Sequence, residues 1–395
     1  MNTHRPRVAF VVQRCGDEIA GGAENLCLQT ARHMSAVWDV EILTTCARDA
    51  RTWKDEYAAG ETTIGGVPAR RFSVPQPRDV AAFDRISRPI ARGEGGRREQ
   101  EAWMRAQGPT SPGLLEHLER HGAAYDRVFF YSYLYATTYF GLPLVAERSV
   151  LVPLAHEEWM LGLELFEQTF RSAAAFAFLS DEERALVERR FPHVRQAPQR
   201  MSGIGIEAPA VQPERFARER GLAGELLVCV GRIEEAKGTG ELISHFAALQ
   251  AAYPAERTLV LVGPIAMAIP ERRDVVALGQ LADEDKWDAL AAAAIACVPS
   301  SFESLSLVTL EAWAVGTPVL VNGTSPVLIG QCRRANGGLW YANEGEFVEI
   351  ARTRLLGRAA ELGASGCRYV AETYTWDRVR GALVELAALP GAGAA

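Results

Sequence analysis

The chain has 395 residues, of which 48% are hydrophobic and 23% are charged, a composition typical of a globular protein of two or three domains. Its formal net charge of −7 argues against nucleic acid as the main partner, because phosphate binding needs an excess of Lys and Arg. The seven cysteines are scattered and form no CxxC pair, which predicts reduced thiols in a cytoplasmic protein and no disulfide framework or zinc site.

The first part of the chain has the order strand, loop, helix, strand. The apolar run RVAFVV (7–12) leads into a loop that carries Gly21 and Gly22, then into a helical pattern, and then into a second strand, DVEILTT (39–45). This order predicts the opening of a parallel βαβ unit. Further strands are predicted within 67–74, 125–134, 148–156 and 173–180.

Residues 76–112 interrupt this alternation, and their Arg, Gly, Glu and Pro content predicts short helices and a mobile loop. The overlapping stretch 70–105 has nine Arg against five acids. It is either a solvated face or a surface that attracts anionic lipid headgroups or a lipid-diphosphate acceptor. The second interpretation predicts a cytoplasmic protein in peripheral contact with the inner membrane face.

Four tyrosines, at positions 131, 133, 135 and 139, either form an acceptor wall or pack in the core.

A stretch with three prolines and two glycines, 192–209, predicts an interdomain linker, and beyond it strands and helices alternate again. The predicted fold class is therefore α/β, with two doubly wound halves in tandem. Ligands of such sheets bind beyond the carboxyl ends of the strands. Two halves that face each other would enclose a central cleft between their loops.

The segment CVPSSFESLSLVTLEAWAVGTPVLVNG (297–323) carries two glutamates, Glu303 and Glu311. The pattern places Glu303 in a loop and Glu311 inside the following helix, for which Ser304 or Ser306 is the candidate cap. Eight residues along a helix span roughly 12 Å, so the two carboxylates are too far apart to act as an acid–base pair. The free N–H groups of the helix start suit phosphate. A nucleotide sugar fits this arrangement, with one glutamate on the sugar and the other on the ribose.

This segment resembles the E-x7-E motif of the retaining family-4 glycosyltransferases, which have the GT-B fold of two Rossmann-like domains. Other stretches resemble that family in the same order along the chain: GGAE (21–24), LVPLAHEEW (151–159), VGRIEEAKG (230–238), LVGP (261–264) and LGQLADEDKWDAL (278–290). By the resemblance, residues 1–203 form an acceptor-binding domain and 204–375 a nucleotide-sugar-binding domain. The C-terminal helix of 376–395 is then expected to pack back on the first domain.

The resemblance also implies roles for single residues. Arg232 and Lys237 would bind the diphosphate, Glu303 the donor hexose and Glu311 the ribose, while His156 would lie near the reacting carbon. The predicted catalytic residues are thus His156 and Glu303. The predicted donor- and phosphate-binding residues are Gly21, Gly22, Arg232, Lys237, Gly263, Leu281, Ser304, Leu305, Ser306, Leu307 and Glu311.

We expect no metal or other cofactor, because fixed cations and N–H dipoles can stabilise a diphosphate leaving group. Asp283-Glu284-Asp285 matches D-x-D only superficially and is interpreted as the acidic first turn of a helix. Two positions depart from the family pattern: Glu157 follows His156 where an Asp is common, and Ser306 replaces a common Gly. Both leave the identity of the donor open.

The predicted reaction is transfer of a hexosyl group, with retention, from a UDP- or GDP-sugar to the hydroxyl of a sugar, lipid-linked or small-molecule acceptor. Such a reaction belongs to glycan, glycolipid or glycosylated-metabolite biosynthesis. Two alternatives stay open. One is an epimerase-like GT-B enzyme that converts a nucleotide sugar without an acceptor, and the other is a non-catalytic sugar-nucleotide-binding protein.

Overall fold

In the computed structural model of the protein, residues 5–19 and 21–389 are described. Their contacts divide the chain into two compact units, which we call unit 1 and unit 2. Unit 1 consists of the described residues up to Ile204 together with those from Val379, and unit 2 consists of residues 205–378. Residues 390–395 of the predicted C-terminal segment lie outside the described residues.

Unit 1 is built on an eight-stranded sheet with the order β3-β4-β2-β1-β5-β6-β7-β8. All neighbouring strands are parallel except β3 and β4, which form an antiparallel pair. The strands are β1 (Arg7–Val11), β2 (Asp39–Thr45), β3 (Gly60–Ile64), β4 (Val67–Phe72), β5 (Arg127–Tyr131), β6 (Ser149–Val152), β7 (Ala175–Phe178) and β8 (Gln199–Met201). The α-helices wholly within this unit are α1 (Gly22–Met34), α2 (Val80–Ala91), α3 (Arg97–Gln107), α4 (Pro112–His121), α5 (Ala136–Gly141), α6 (Leu165–Ser172) and α7 (Asp181–Arg190).

Unit 2 is built on a six-stranded parallel sheet with the order β11-β10-β9-β12-β13-β14. The strands are β9 (Glu225–Val230), β10 (Arg257–Val262), β11 (Val275–Gly279), β12 (Ile295–Val298), β13 (Val319–Asn322) and β14 (Gly338–Tyr341). The helices are α8 (Pro213–Glu219), α9 (Thr239–Ala252), α10 (Asp283–Ala292), α11 (Leu307–Ala314), α12 (Pro326–Ala335), α13 (Glu344–Arg352), α14 (Ala359–Thr373) and α15 (Trp376–Ala388).

Helix α15 begins in unit 2 and continues into unit 1. Within unit 1 the Nε atom of Arg200 lies 3.1 Å from Glu385 Oε2, and Arg127 donates to the carbonyl of Leu389. The end of α15 is therefore tied to two strands of the first sheet, β8 and β5.

Both sheets are double-wound, because apolar strands need cover on both faces. In unit 1 the packing is aromatic: Phe10 of β1 stacks on Phe129 of β5 with ring centroids 5.2 Å apart, and Phe170 of α6 stacks on Phe191 at 4.1 Å. In unit 2 the buried Trp313 of α11 donates its indole N–H to the carbonyl of Gly337 at 2.7 Å.

The predicted strands are found, but β3, β8, β11 and β14 were not predicted. Strand β8 lies inside the predicted linker 192–209, where it pairs with β7. The stretch 76–112 contains two complete helices, α2 and α3, and the start of α4. Among the helices of the described residues, none combines the length and the hydropathy that crossing a membrane requires.

Candidate functional site

The order of strands in unit 2 reverses direction between β9 and β12. The chain runs from β9 outward to β10 and β11, then returns to the other side of β9 to form β12. The loops after β9 and β12 therefore leave the carboxyl edge on either side of a gap, which is where open α/β sheets bind ligands. Lys237 belongs to the first of these loops and Glu303 to the second.

Lys237 and Glu303 meet at this point. Lys237 Nζ lies 3.1 Å from Glu303 Oε1 and 3.4 Å from Ser300 Oγ. Both charged side chains are partly accessible, at 36% and 17% of their surface. The fold thus brings two predicted site residues, 66 positions apart, into one ion pair that a charged ligand could reach.

The helix after Glu303 begins where the pattern predicted. Ser306 is the N-cap of α11: its hydroxyl accepts from the backbone N–H of Thr309 at 3.4 Å and from the Thr309 hydroxyl at 3.0 Å. Ser306 is only 3% exposed, and Leu305 beside it is also buried, whereas Ser304 and Leu307 are half-buried. The side chain at the departure from the family pattern is therefore turned to its own helix.

Glu311 lies one turn into α11 and is almost fully buried. Its Oε1 atom is 2.8 Å from Nζ of Lys286 on α10, and the same Nζ is 3.2 Å from Asp283. Burial raises the pKa of Glu311, and the Lys286 ammonium partly offsets this effect. Lys286 was missed by the sequence analysis, since only its spacing from Asp283, i to i+3, hinted at an ion pair.

The acidic turn Asp283–Asp285 forms the start of α10, as interpreted from the sequence. Its aspartates contact different cations: Asp283 contacts Lys286, while Asp285 contacts Arg215 at 3.3 Å and Arg220 at 2.8 Å. Across the described ranges 5–19 and 21–389, no group of three or more His, Cys, Asp or Glu side chains could hold a metal ion.

The loops after β9 and β10 approach each other closely. Gly263 has φ +137°, and a Cβ atom there would lie 1.8 Å from the carbonyl oxygen of Gly231. Its N–H donates to the carbonyl of Gly279 at 2.8 Å. Leu281 is half-buried beyond β11, against the apolar cluster of α8 and β10. Only glycine fits at position 263, so these loops have a fixed backbone path.

Arg232 is not brought into the Lys237–Glu303 pair. Its guanidinium lies 3.1 Å from Glu234, and 59% of its side chain is exposed. An exposed guanidinium can reorient toward a ligand at small cost, since exposed ion pairs contribute little.

The strand order of unit 1 reverses between β1 and β5, so the loop after β1 lies at the corresponding gap. Gly21 is the N-cap of α1 and Gly22 its first residue. The buried Glu24 accepts from Arg14 Nε at 2.5 Å, and a Cβ on Gly21 would lie 2.1 Å from Glu24 Oε2. Gly21 thus leaves space for an Arg14–Glu24 pair at the helix start, whereas a Cβ on Gly22 would meet no atom within 4 Å.

His156 follows β6, with 30% of its side chain exposed. Its Nδ1 atom lies 3.5 Å from Oε1 of Glu158, and the Tyr133 hydroxyl donates to the same oxygen at 2.9 Å. Glu157 is directed elsewhere, to Arg189 at 3.4 Å. The carboxylate beside His156 therefore comes from two positions downstream, and burial raises the pKa of Glu158 to about 7.

A second buried carboxylate, Glu183, supports the same segment. It is 1% exposed and accepts from the backbone N–H groups of Ala155 at 2.8 Å and Leu179 at 2.7 Å. Burial raises the pKa of Glu183 to about 8 in spite of these hydrogen bonds. The sequence showed Glu183 only as one of three acids in the first turn of α7, so its contact with the residue before His156 could not be predicted.

The candidate acceptor tyrosines are mainly packing residues. Tyr131, Tyr133 and Tyr139 are buried, and Tyr135 is half-buried with its ring edge-on to Trp53 at 5.5 Å.

Part of unit 2 is similar to a known protein family. Residues 224–353 match the family described as "Glycosyl transferases group 1". A curated relative, the MMP alpha-(1->4)-mannosyltransferase of Mycolicibacterium hassiacum, is 29% identical over 191 residues. That alignment covers 45% of this chain and 44% of the relative, so the chain matches less than half of the relative's length.

Solved structures show the same fold over nearly the whole chain. Sucrose-phosphate synthase from Thermosynechococcus elongatus superposes with a TM-score of 0.70 at 17% identity, over 97% of this chain and 98% of that one. HepE of Anabaena, in complex with UDP and glucose, gives 0.69 at 15% identity, over 96% and 98% of the two chains. The fold class predicted from the sequence is confirmed. Residues 224–353 are thus similar to the group 1 glycosyltransferases, and the chain has the GT-B fold of the solved structures.

Proposed function

We propose that this protein is a retaining glycosyltransferase that moves a hexosyl group from a nucleoside-diphosphate sugar to an acceptor hydroxyl. The observation that carries the proposal is the meeting of Lys237 and Glu303 at the carboxyl edge of unit 2, just before the start of α11. A cation, a hydrogen-bond acceptor and free helix N–H groups are what a sugar diphosphate requires at one place.

In the proposed site, Lys237 and Arg232 bind the diphosphate, together with the backbone at Ser304–Leu307. Glu303 then exchanges part of its contact with Lys237 for hydroxyls of the sugar. Glu311 accepts hydrogen bonds from the ribose, and Gly263 and Leu281 border the nucleobase. Two relatives support a hexosyl donor: one is named a mannosyltransferase, and another holds UDP and glucose. Whether the nucleotide is UDP or GDP stays open.

We propose a front-face reaction that needs no metal or other cofactor. The acceptor oxygen bonds to the anomeric carbon while the bond from that carbon to the diphosphate oxygen breaks. The acceptor proton passes to the departing phosphate oxygen. Lys237, Arg232 and the N–H groups of α11 stabilise the charge that develops on the diphosphate. To His156, in unit 1, we assign the place near the reacting carbon that the resemblance implies, with unit 1 as the acceptor domain.

A panel of nucleotides and nucleotide sugars tests the proposal. A true donor should raise the melting temperature in a concentration-dependent way, since a ligand that binds only the folded state stabilises it. Donor consumption with and without candidate sugar, lipid-linked and small-molecule acceptors then separates transfer from epimerisation and from binding alone. If no UDP- or GDP-linked compound shifts the melting temperature at millimolar concentration, the proposed function is wrong.

The acceptor also bears on the Arg-rich stretch 70–105. Arg71 is 7% exposed and stacks on Tyr57, so it faces inward. Helix α2 carries the exposed residues Arg85 and Arg88, which lie three positions apart and therefore on one side of the helix. We propose that this face contacts anionic lipid at the membrane surface. Co-sedimentation with phosphatidylglycerol vesicles, but not with phosphatidylcholine vesicles, is expected and should be lost in an Arg85→Glu/Arg88→Glu variant.

A further inference from the structure

Lys286 has no role in the function proposed above, yet it lies beside a predicted ligand-binding residue. It belongs to the first turn of α10, 25 positions before Glu311 on α11, and its Nζ atom lies 2.8 Å from Glu311 Oε1. The Lys286 side chain is 19% exposed and that of Glu311 is 11% exposed. An ion pair this deeply buried is costly to form, because both charges lose most of their water.

Only one oxygen of Glu311 is used by the pair. Among the described residues, the carboxylate of Glu311 accepts one hydrogen bond, which Lys286 donates to Oε1. An ionised carboxylate has two acceptor oxygens with about four lone-pair sites. Oε2 is therefore available to hydroxyl donors of a ligand, while Oε1 is held by the ammonium.

The charges around Glu311 explain why the ammonium matters. Burial raises the pKa of Glu311, Lys286 acts to lower it, and Asp283 acts to raise it. These two residues of α10 are the charged groups that face Glu311 among residues 5–19 and 21–389. Burial acts to lower the pKa of Lys286, but Glu311 and Asp283 outweigh it and raise that pKa. Lys286 therefore stays charged, and without it Glu311 would become protonated more readily.

We propose that Lys286 is a positioning residue for the ribose of the donor. Its ammonium fixes the orientation of Glu311 and holds it as a carboxylate, so that Oε2 can accept hydrogen bonds from ribose hydroxyls. The inference rests on the proposed function in one respect, the assignment of Glu311 to the ribose. It adds a second residue, on a different helix, on which nucleoside recognition depends.

A purely structural role makes a different prediction. If the pair only ties α10 to α11, removing Lys286 lowers the free energy of unfolding, and nucleotide affinity keeps the pH dependence of the wild type. If Lys286 positions Glu311, removing it makes affinity fall as pH falls. The reason is that the Glu311 pKa rises further, so the protonated form, with one of its acceptor oxygens converted to a donor, becomes populated at higher pH.

The test compares Lys286→Gln with Lys286→Arg, because Gln removes the charge and Arg keeps it. Affinities for UDP and GDP are measured by calorimetry from pH 5.5 to 8.5, each relative to wild type at the same pH, since the terminal phosphate itself titrates near pH 6. For whichever nucleotide binds, we expect Lys286→Gln to lose about tenfold at pH 6 and to recover part of it by pH 8.5. Lys286→Arg should stay within about threefold of wild type, because a charged hydrogen bond to the carboxylate remains.

Deoxyribose nucleotides sharpen the test. In wild type, removing the ribose hydroxyl that Glu311 contacts, in the 2′-deoxy or 3′-deoxy diphosphate, should cost roughly tenfold in affinity. In Lys286→Gln the same removal should cost much less, because coupled groups are not additive. Equal losses in wild type and variant, or an unchanged pH profile, would overturn the inference while leaving the proposed function standing. A wild type that binds neither UDP nor GDP would instead contradict the proposed function.

The melting temperature of each variant, measured without ligand, shows that it is folded. If Lys286→Gln does not fold, the deoxynucleotide comparison is made on Lys286→Met, which also removes the charge but keeps an unbranched side chain. Retention of the full cost of the deoxy substitution in that variant would overturn the inference.

Discussion

Two carboxylates at the carboxyl edge of unit 2 are each paired with a lysine, whereas two in unit 1 are buried among neutral donors. In unit 2, Lys237 pairs with Glu303 and Lys286 pairs with Glu311. In unit 1, Glu158 accepts from the Tyr133 hydroxyl and Glu183 accepts from backbone N–H groups. In the first arrangement an ammonium group lies beside each carboxylate. The second raises the pKa values to about 7 and about 8, so it titrates near neutrality.

The difference indicates separate tasks for the two edges. A lysine and a glutamate that form an ion pair can move apart when a ligand binds. The ammonium can then contact a phosphate of the ligand and the carboxylate can contact its hydroxyls. Buried carboxylates with high pKa values respond instead to pH and to any new charge brought beside them. The predictions below test this contrast.

The largest effect is expected at Glu303 and Lys237. Replacing either with Ala leaves the other charge without its partner and removes one contact to the donor. We expect turnover to fall by about 10²–10³, the usual cost of losing one transition-state contact. Steady-state kinetics with a nucleotide sugar identified by the thermal panel measure the change. Glu284→Ala, an exposed acid in the first turn of α10, is the matched control. Full turnover in Glu303→Ala would show that the site is elsewhere.

The next effect concerns the glycines at the two edges. Gly263→Ala would place a Cβ 1.8 Å from a backbone oxygen, so we expect roughly 3 kcal/mol of lost stability, with weaker nucleotide binding. Gly21→Ala would place a Cβ 2.1 Å from Glu24 Oε2, the far end of a side chain that can move. That change should cost about 1 kcal/mol or less.

Urea unfolding of the two glycine variants measures the difference in free energy. Equal losses would mean that the loop at Gly263 can shift after all, and that the approach of the loops after β9 and β10 is not fixed.

A third effect, spread over several pH units, is a pH-dependent stability of unit 1. Because the folded-state pKa of Glu183 is raised from 4.5 to about 8, the folded state binds a proton that the unfolded state releases. The resulting stabilisation is fully present below pH 4.5, declines by up to about 1.4 kcal/mol per pH unit as pH rises, and is gone above pH 8. Glu183→Gln should flatten the dependence of the free energy of unfolding on pH. Glu182→Gln, a change at the neighbouring position, should leave that dependence unchanged.

Thiol labelling at a series of pH values reports opening of each unit separately. Cys27 is buried in unit 1 and Cys297 in unit 2, so each reacts only when its own unit opens. Since thiolate content also varies with pH, rates are normalised to those of the unfolded chain. A slope that is the same at both cysteines would contradict the assignment to Glu183.

The smallest effect is expected at Glu158. Because its pKa lies near 7, the charge beside His156 changes across neutral pH, and kcat/KM should change with it. Glu158→Gln should remove this limb of the pH profile. At the pH optimum it should lower kcat/KM by no more than about a few-fold. Glu157→Gln is the matched control, because that side chain is directed to Arg189. A profile unchanged in Glu158→Gln would show that the limb belongs to another group.

The loop and helix that carry Glu303, Ser306 and Glu311 in the candidate site of unit 2 could be predicted from the sequence, because the cap and stop signals of this segment are local. Lys286 could not be found in this way, since its contact with Glu311 depends on how α10 packs against α11. Unit 1 was less predictable for the same reason. The carboxylate beside His156 could not be predicted, because the turn after β6 directs Glu157 to Arg189 and Glu158 to His156.

Short strands were also missed where local signals conflicted. Strand β8 has only three residues, set among prolines and glycines that are typical of a linker. It forms because β7 offers an open edge, which is a property of the sheet and not of the local sequence.

The division of the chain has a consequence for synthesis. Unit 2 is one continuous segment, residues 205–378, whereas unit 1 is completed only by residues from Val379 onward. A ribosome adding 5–20 residues per second therefore needs on the order of ten to forty seconds to deliver the last helix after β8 has emerged. During that interval Leu26, Thr30 and Tyr131 lack the cover of Val379 and Leu383, with which they share a small cavity in the finished protein. We therefore expect unit 2 to complete its folding before unit 1 during synthesis.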